Sequence, residues 1–255
     1  RRDVGLREIM EEVFQVIQVT QYEGDVAYAF NQYHLISAPV VDADDRLVGV
    51  ITIDDAMAVL DDEHEEDILR MAGVGDDASL SDTIIEAAKG RALWLFVNLL
   101  TAILASLVIE AFAETINQMV ALAVLMPIVA SMGGNAGTQT MTVTVRALAT
   151  RDLTAQNAMR VVIREVSVGA LNGVLFGLTM AAVTGLWFGV PMLAVVIGVA
   201  MLATQVAAAL GGIVIPMTLD RFNIDPALAS GPFVTTVTDV VGFFAFLGLA
   251  ASVLM

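Results

Sequence analysis

The hydrophobic and polar positions divide the chain into two parts suited to two different solvents. Beyond residue 91 there are four stretches without Asp, Glu, Lys or Arg, at 92–109, 115–145, 166–219 and 226–255, apart from Asp239 in the last one. A helix needs about 20 mainly apolar residues to cross a bilayer. The stretch at 166–219 is long enough for two helices and contains the turn signal Gly189-Val190-Pro191. The pattern predicts a polytopic α-helical membrane protein with five transmembrane helices, at about 92–112, 115–147, 162–188, 191–219 and 231–255.

The basic residues near the ends of these predicted spans give an orientation. They lie before the first span, between the second and third, and between the fourth and fifth: Lys89, Arg91, Arg146, Arg151, Arg160, Arg164 and Arg221. The other two connections, at 110–114 and 189–191, contain no Lys or Arg. Because positive charge is retained in the cytoplasm, we expect a multi-pass protein of the cell membrane with a cytoplasmic N-terminal part and an external C-terminus.

The N-terminal part has the pattern of a small α/β module at residues 1–60. A strand is predicted at 13–19, a helix at 24–33, strands at 38–42 and 47–53 around a turn at 44–46, and a helix from 53 onward. The segments SAPVVD at 37–42 and LVGVITIDD at 47–55 resemble a cystathionine-β-synthase (CBS) domain. The resemblance implies that Thr52 and Asp55 hold the phosphate and ribose of ATP, and that a first, paired CBS unit is missing upstream. The alternative is that Thr52 ends a strand and Asp55 stabilises the first turn of a helix.

The charge of the chain lies almost entirely in this N-terminal part. Residues 1–90 contain 21 Asp and Glu against 6 Lys and Arg, a net charge of −15 out of −16 for the whole chain. So dense a negative charge favours divalent cations as partners and excludes nucleic acid. With no Cys and two His in the sequence, a thiolate, Fe–S or zinc site is not expected, whereas oxygen ligands for Mg²⁺ are abundant.

An acidic connecting helix is predicted at 61–91, beginning with the sequence DDEHEED. Glu63 and Asp67 are four residues apart and share a helix face with Glu66, where their charges repel one another. A bound divalent cation would relieve this repulsion, so the run is interpreted as a cation sensor. The alternative is a solvated helix that links two domains.

The second predicted span contains Pro127 and the sequence GGNAGTQ at 133–139. Gly133, Gly134, Asn135 and Gln139 are unusual for a helix that faces lipid, and Pro127 withholds a backbone N–H. We therefore predict irregular backbone that lines a pore. The alternative is close packing of helices through the glycines.

Asp239 is the one acid well inside a predicted span. A carboxylate at the centre of a bilayer costs about 3 kcal/mol or more, and no Lys or Arg occurs at comparable depth, which leaves a proton or a cation as its compensation. Thr235, Thr236 and Thr238 surround it and supply oxygen atoms. Asp239 is therefore predicted to be a cation site in a pore.

These features together resemble the MgtE family of magnesium channels, most specifically in the GGNAGTQ sequence and in GPFVTTVTD at 231–239. The resemblance implies a homodimer with its pore, at 92–255, on the two-fold axis, where Asp239 of both subunits holds a largely hydrated Mg²⁺ with help from the Thr235 carbonyl. It also implies gating by Mg²⁺ at Asp55, Glu63, Glu66 and Asp67. Ala58 stands where the family often has a further acid.

Two other classes of function were weighed. A CBS-regulated transporter of another divalent cation or of an anion is the first, although the charge at membrane depth is negative, which disfavours anions. An intramembrane enzyme using Glu165, Asp239 and the Asn135 region is the second. No His or Cys lies in any predicted span, so we expect no enzyme activity.

Overall fold

The computed structural model describes residues 15–75 and 78–254, and the chain forms two compact units, Arg1–Asp67 and Ile68–Met255. The elements of the first unit are β1 (Ile17–Gln18), α1 (Glu23–Tyr33), β2 (Ser37–Val41), β3 (Leu47–Thr52) and most of α2 (Ile53–Met71). Its three strands form one sheet in the order β1-β2-β3, with β1 parallel to β2 and β2 antiparallel to β3. The predicted α/β module is confirmed.

Local sequence signals explain this unit well. Buried apolar side chains from both helices and the sheet form its core: Ile17, Val26, Phe30, Ala38 and Ala56. The turn between β2 and β3 is closed by the Asp42 carboxylate, which accepts hydrogen bonds from the backbone N–H of Asp44 and of Arg46, both at 2.9 Å. Such a local bond is the usual reason for Asp at the start of a turn. The predicted strand at 13–19 is reduced to Ile17–Gln18, and residues 13 and 14 lie outside the described residues.

The predicted connecting helix at 61–91 differs from the structure. Helix α2 runs without a break from Ile53 to Met71, so the domain boundary predicted at residue 60 falls inside a helix. The next helix, α3 (Ile84–Ala111), begins with a capping box. The Thr83 hydroxyl accepts from the Glu86 N–H at 3.4 Å, and the Glu86 carboxylate accepts from the Thr83 N–H at 2.9 Å. This reciprocal pair starts the helix about eight residues before the predicted span.

Five long apolar helices make up most of the second unit, as predicted. After α3 comes a short helix, α4 (Ala113–Gln118), and then α5 (Ala121–Ala149), α6 (Ala158–Phe188), α7 (Pro191–Arg221) and α8 (Pro226–Val253). The five candidate spans contain 28 to 31 residues, which at about 1.5 Å per residue makes each longer than the hydrocarbon core of about 30 Å. Their ends therefore extend into the headgroup regions. The predicted turn at 189–191 is confirmed, since Gly189 ends α6 at φ 66° and Pro191 begins α7.

Helix α7 lies at the centre of the bundle and packs against α5, α6 and α8. The main core cluster joins α5, α7 and α8 through large buried side chains that include Leu125, Val129, Ile197, Met201 and Phe246. Outer helices remain largely exposed in the single chain, and only 6% of the most apolar window of α3 is buried. This exposed apolar surface is the surface that lipid or a second chain would cover.

The irregular backbone predicted at 126–139 is wrong, because α5 is a continuous helix through this segment. Pro127 is near the start of α5, where the missing N–H removes one intrahelical hydrogen bond and the preceding turn is short. The glycines are also helical, and their small size serves contacts between helices, as described below.

Candidate functional site

Asp239 lies near the middle of α8 and is partly buried. The start of α8 is fixed by Asp225, whose carboxylate accepts from the Ala227 N–H at 2.8 Å, and by Pro226 in the first turn. No hydrogen bond or ion pair of Asp239 with another residue in the described ranges was found. The carboxylate therefore lies inside a membrane-spanning helix with both oxygen atoms available to a ligand.

The threonines around Asp239 use their hydroxyls within the helix. The Thr235 hydroxyl donates to the Gly231 carbonyl at 3.0 Å, and the Thr236 hydroxyl donates to the Pro232 carbonyl at 2.6 Å. The Thr238 hydroxyl donates to the Thr235 carbonyl at 2.9 Å. Inside the continuous helix the Thr235 carbonyl also accepts the backbone N–H of Asp239, so both of its lone pairs are engaged in this structure. Thr235 is exposed and lies one helical turn before Asp239, on the same face.

Gly133 and Gly137 bring α5 into close contact with its neighbours. A Cβ atom at Gly137 would lie 2.7 Å from Val234 Cγ1 and 3.1 Å from Thr238 Cγ2. One at Gly133 would lie 2.6 Å from Thr204 Cγ2 and 3.4 Å from Thr238 Cβ. These two glycines are therefore packing positions that hold α5 against the part of α8 next to Asp239. Gly134 differs, because nothing lies within 4 Å of a Cβ added there.

Asn135 and Gln139 lie on another side of α5. Each is two residues from Gly137, which at about 100° per residue places it roughly 200° around the helix from the contact with α8. Both side chains are exposed, and the Asn135 amide donates to the Ser131 hydroxyl at 3.5 Å. Gln139 lines a cavity of about 270 Å³ between α5, α6 and α7. One chain therefore does not bring these two amides together with Asp239.

Among the described residues, no group of three or more His, Cys, Asp or Glu side chains is arranged to hold a metal ion. A single Asp239 supplies one carboxylate, whereas a hard cation takes several oxygen ligands. Ligands from water, from backbone carbonyls and from a second copy of α8 would be needed to complete such a site.

The predicted sensor acids lie on α2, and Glu63, Glu66 and Asp67 are each partly buried. Burial raises the pKa of Glu63, and the negative charges of Asp67, Glu23 and Glu66 raise it further, against the hydrogen bond from Tyr22. The Tyr22 hydroxyl donates to Glu63 Oε1 at 3.5 Å, and the charge of Glu63 raises the pKa of Tyr22. Glu23, at the start of α1, therefore lies close enough to Glu63 of α2 to belong to the same cluster of acids.

Glu23 is not among the sensor acids predicted from the sequence, and it is 40 positions from Glu63. No short-range spacing relates the two residues. A cation bound among these acids would replace their mutual repulsion by attraction.

Asp55 is separate from that cluster in its bonding. Its Oδ2 accepts from the Thr52 N–H at 3.1 Å and from the Thr52 hydroxyl at 2.7 Å. These hydrogen bonds lower the pKa of Asp55. Thr52 ends β3 and Asp55 lies in the first turn of α2, so the two side chains have the local structural role that the sequence analysis gave as the alternative to nucleotide binding.

An ion pair that the sequence analysis did not predict joins the last turn of α2 to the start of α8. Arg70 Nη1 lies 3.0 Å from Asp225 Oδ2, and the two side chains are 25% and 34% exposed. Asp225 is also the N-cap of α8, so one carboxylate links both helix ends. The separation of 155 residues left no signal in the sequence.

Five helices long and apolar enough to span a membrane, a partly buried carboxylate near the middle of one of them and a small α/β unit define a multi-pass membrane protein with an α/β domain. Two family models match the sequence: residues 126–249 match MgtE, described as a divalent cation transporter, and residues 6–62 match the CBS domain. The chain therefore contains an MgtE family domain at residues 126–249, and its first unit is a CBS domain.

Three curated proteins, each named magnesium transporter MgtE, are similar to the chain. The protein of Enterococcus faecalis is 35% identical over 249 residues, covering 98% of this chain and 55% of the relative. That of Thermus thermophilus is 34% identical over 249 residues, with 95% and 54% covered. That of Bacillus subtilis is 31% identical over 232 residues, with 91% and 51% covered. The chain spans about half the length of these relatives.

Proposed function

We propose that this chain carries Mg²⁺ across the cell membrane as a homodimer, through a pore in which Asp239 of both subunits binds the ion. The observation that carries the proposal is the partly buried Asp239 carboxylate, for which no protein partner was found among the described residues. Leaving that charge in hydrocarbon costs about 3 kcal/mol or more. A divalent cation between two such carboxylates would compensate both.

Mg²⁺ is the ion that fits this arrangement best. It dehydrates reluctantly and is usually bound through one or two carboxylates while it keeps several waters. The Asp239 carboxylate supplies oxygen atoms on the face of α8 that it shares with the exposed Thr235. The names of the three relatives support Mg²⁺ over other divalent cations. The match of residues 126–249 to a family model described as a divalent cation transporter argues against the anion alternative.

Flux measurements in proteoliposomes with a Mg²⁺-sensitive dye test the proposal. We expect Asp239→Asn to reduce flux at least tenfold, equivalent to about 1.4 kcal/mol, because the isosteric amide lacks the charge. Glu114→Gln removes an exposed acid of α4 and is the matched control. Flux at the parent rate in Asp239→Asn, with unchanged competition by Mn²⁺, Co²⁺ and Ca²⁺, would show that the ion site lies elsewhere.

The homodimer has a separate test that uses the absence of cysteine from the sequence. In a two-fold interface each residue near the axis approaches its own copy. We expect Thr235→Cys to form a disulfide between subunits in oxidising detergent solution, since this requires Cα atoms about 4.4–6.8 Å apart. Phe233→Cys is exposed on the same helix, about 200° away, and is the control. Equal cross-linking of both variants, or of neither, contradicts an axis beside Asp239.

The acids around Glu63 are proposed as the sensor through which cytosolic Mg²⁺ closes the pore. Glu63, Glu66 and Asp67 share a partly buried face of α2, and Glu23 adds a fourth charge from α1. Asp55 is included by its resemblance to a sensor acid of the family. A bound divalent cation would remove repulsion in this cluster and favour the conformation that holds it.

A matched pair of triple variants separates the cluster from general charge effects. Glu63→Gln, Glu66→Gln and Asp67→Asn remove three charges from the partly buried face, and we expect the combination to abolish Mg²⁺-dependent inhibition of flux. The control, Asp61→Asn, Asp62→Asn and Glu65→Gln, removes three charges from exposed positions of the same helix. If both combinations change inhibition equally, the effect is one of net charge, and no specific sensor is present.

We also propose that the N-terminal unit is cytoplasmic and the C-terminus external. The distribution of Lys and Arg supports this orientation. Labelling of single cysteines with a membrane-impermeant maleimide in whole cells is the test. We expect Val190→Cys to react from outside and Thr154→Cys to react only after the cells are opened, and the reverse result would invert the orientation.

ATP is proposed as a ligand of the CBS domain at Thr52 and Asp55. Because Asp55 accepts two hydrogen bonds from Thr52, a ribose hydroxyl would have to compete with or add to them. Calorimetric titration of the purified chain with ATP, and of Asp55→Ala as its control, tests this. No heat of binding with the parent chain, or equal binding by both, removes the nucleotide assignment.

A further inference from the structure

The cavity between α5, α6 and α7 contains a buried charge that the proposed transport path does not use. Glu165 is 9% exposed and lines this cavity of about 270 Å³. Within the described ranges no hydrogen bond or ion pair of Glu165 with another residue was found. Its carboxylate oxygens are not among the fully buried unpaired polar atoms of the described residues, so they are open to the cavity, where a ligand that supplies positive charge would be stabilised.

Arg164 lines the same cavity from an exposed position, yet the two adjacent residues do not form an ion pair within 4.0 Å. The cavity thus presents one negative group inside and one positive group at its rim. The rest of its polar lining consists of Thr140 and three amides that can donate and accept hydrogen bonds: Gln139, Asn172 and Gln205. A lining with zero net charge and separated signs suits a zwitterion better than it suits a free divalent cation.

The position of the cavity along the helices places it near a membrane surface. Glu165 is seven residues after the first residue of α6, or about 10 Å along its axis. Because α6 is about 16 Å longer than the hydrocarbon core is thick, its ends reach the headgroup region on both sides. Arg164 can extend its long side chain toward that region while its aliphatic part stays among apolar groups.

Apolar side chains that surround the cavity are open to lipid in the single chain. Val143 of α5 and Val168 of α6 line it and are 54% and 46% exposed. A ligand with acyl chains would cover these side chains, whereas a free soluble zwitterion would leave them uncovered. The cavity volume of about 270 Å³ admits a group much larger than one water, whose share of liquid is about 30 Å³.

We propose that this cavity binds the headgroup of an aminophospholipid, with its primary ammonium at Glu165 and its phosphate at Arg164. The ammonium donates up to three hydrogen bonds, which the Glu165 carboxylate and the side-chain carbonyl of Gln205 accept. A phosphatidylcholine headgroup carries the same charges but has no N–H to donate, and phosphatidylglycerol has no cation. The site therefore discriminates among lipids by the ammonium group, and the proposal does not depend on which ion the pore carries.

Native mass spectrometry of the full chain in detergent, with phosphatidylethanolamine, phosphatidylcholine or phosphatidylglycerol added in equal amounts, tests this site. We expect the parent chain to retain phosphatidylethanolamine with about tenfold preference over phosphatidylcholine, a difference of one tight hydrogen-bonded contact. Arg164→Gln should lower the retention of both zwitterionic lipids, because both carry the phosphate, and Glu165→Gln should reduce the preference between them to about one. Arg160→Gln, an exposed cation one turn away on α6 that does not line the cavity, should retain it.

Arg164 is exposed, so its variant keeps the test decisive if Glu165→Gln does not fold. Four results would overturn the proposal. The first is no preference in the parent chain, and the second is an equal loss in Arg160→Gln, which would mean general attraction between charges. The third is competition by free phosphoethanolamine at the same concentration as the lipid, which would identify a soluble ligand. Reduced Mg²⁺ flux in Glu165→Gln with an unchanged lipid preference would likewise assign the cavity to the ion path and contradict the proposal.

Discussion

Breaking the ion pair between Arg70 and Asp225 should destabilise the second unit by an amount that the geometry sets. The two atoms are 3.0 Å apart and the side chains are 25% and 34% exposed, between the surface and the buried limits. Exposed pairs contribute about 0.2–1 kcal/mol, and hydrogen bonds to charged groups about 1.5–3 kcal/mol. We therefore expect Arg70→Gln to cost about 1–2 kcal/mol, a fall in the thermal midpoint of roughly 2–8 °C at 2–4 °C per kcal/mol.

Two substitutions of Asp225 separate the ion pair from the helix cap. Asp225→Asn keeps a side-chain oxygen that accepts from the Ala227 N–H, and so should lose only the pair. Asp225→Ala loses both, and should be destabilised by about 1 kcal/mol more. Midpoints measured in detergent for Arg70→Gln, Asp225→Asn and the double variant give the coupling energy. A coupling near zero, or equal losses in Asp225→Asn and Asp225→Ala, would refute this reasoning.

Three further predictions concern the packing of α5, the open face of α5 and the acids of α2. Gly137→Ala should reduce assembly, because its Cβ would lie 2.7 Å from Val234 Cγ1. Gly134→Ala has open space around its Cβ and should assemble normally. Size-exclusion chromatography of the two variants compares their assembly. Asn135→Leu should lower Mg²⁺ flux without changing the chromatographic profile, and normal flux would remove Asn135 from the path. The fold raises the pKa of Glu63 and so favours its neutral form, which means that the free energy of unfolding falls as pH rises through that pKa. Glu63→Gln, which is always neutral, should therefore stabilise the chain at pH 7 and have no effect near pH 4.

The number of spans and their approximate positions could be predicted because charge is so costly in hydrocarbon that its absence marks each helix. The ends could not be predicted in the same way. Helix α3 begins at Ile84, before Lys89 and Arg91, because the Thr83 and Glu86 capping box starts it there. Lys89 and Arg91 are exposed on the part of the helix that extends beyond the bilayer. Apolar composition thus predicts which part of a helix lies in lipid, whereas capping residues predict the residue at which the helix begins.

The parts of the candidate site that depend on the chemistry of a single residue could be predicted from the sequence. The parts that depend on a contact between distant residues could not. Asp239 is conspicuous in sequence because a single charge interrupts a long apolar stretch. The repulsion between Glu63 and Glu23 depends on folding that brings distant positions together. The ion pair of Arg70 with Asp225 does so as well. The glycines of α5 gave an ambiguous signal, since a small residue suits both a pore and a close helix contact, and the distances assign Gly133 to the contact.

The same carboxylate that would attract Mg²⁺ also gives two chains a reason to associate along α8. Thr238 faces α5, so Asp239 points about 100° away from that contact, toward a surface that is open in the single chain. Facing hydrocarbon there would cost each chain about 3 kcal/mol or more. Association along this face replaces hydrocarbon by a space that water and a cation can enter. The charge itself opposes the approach of the two copies unless a cation lies between them. Asp239→Asn removes both the cost of the charge in hydrocarbon and the repulsion between the copies, so we expect the variant still to form the proposed dimer while its transport is lost.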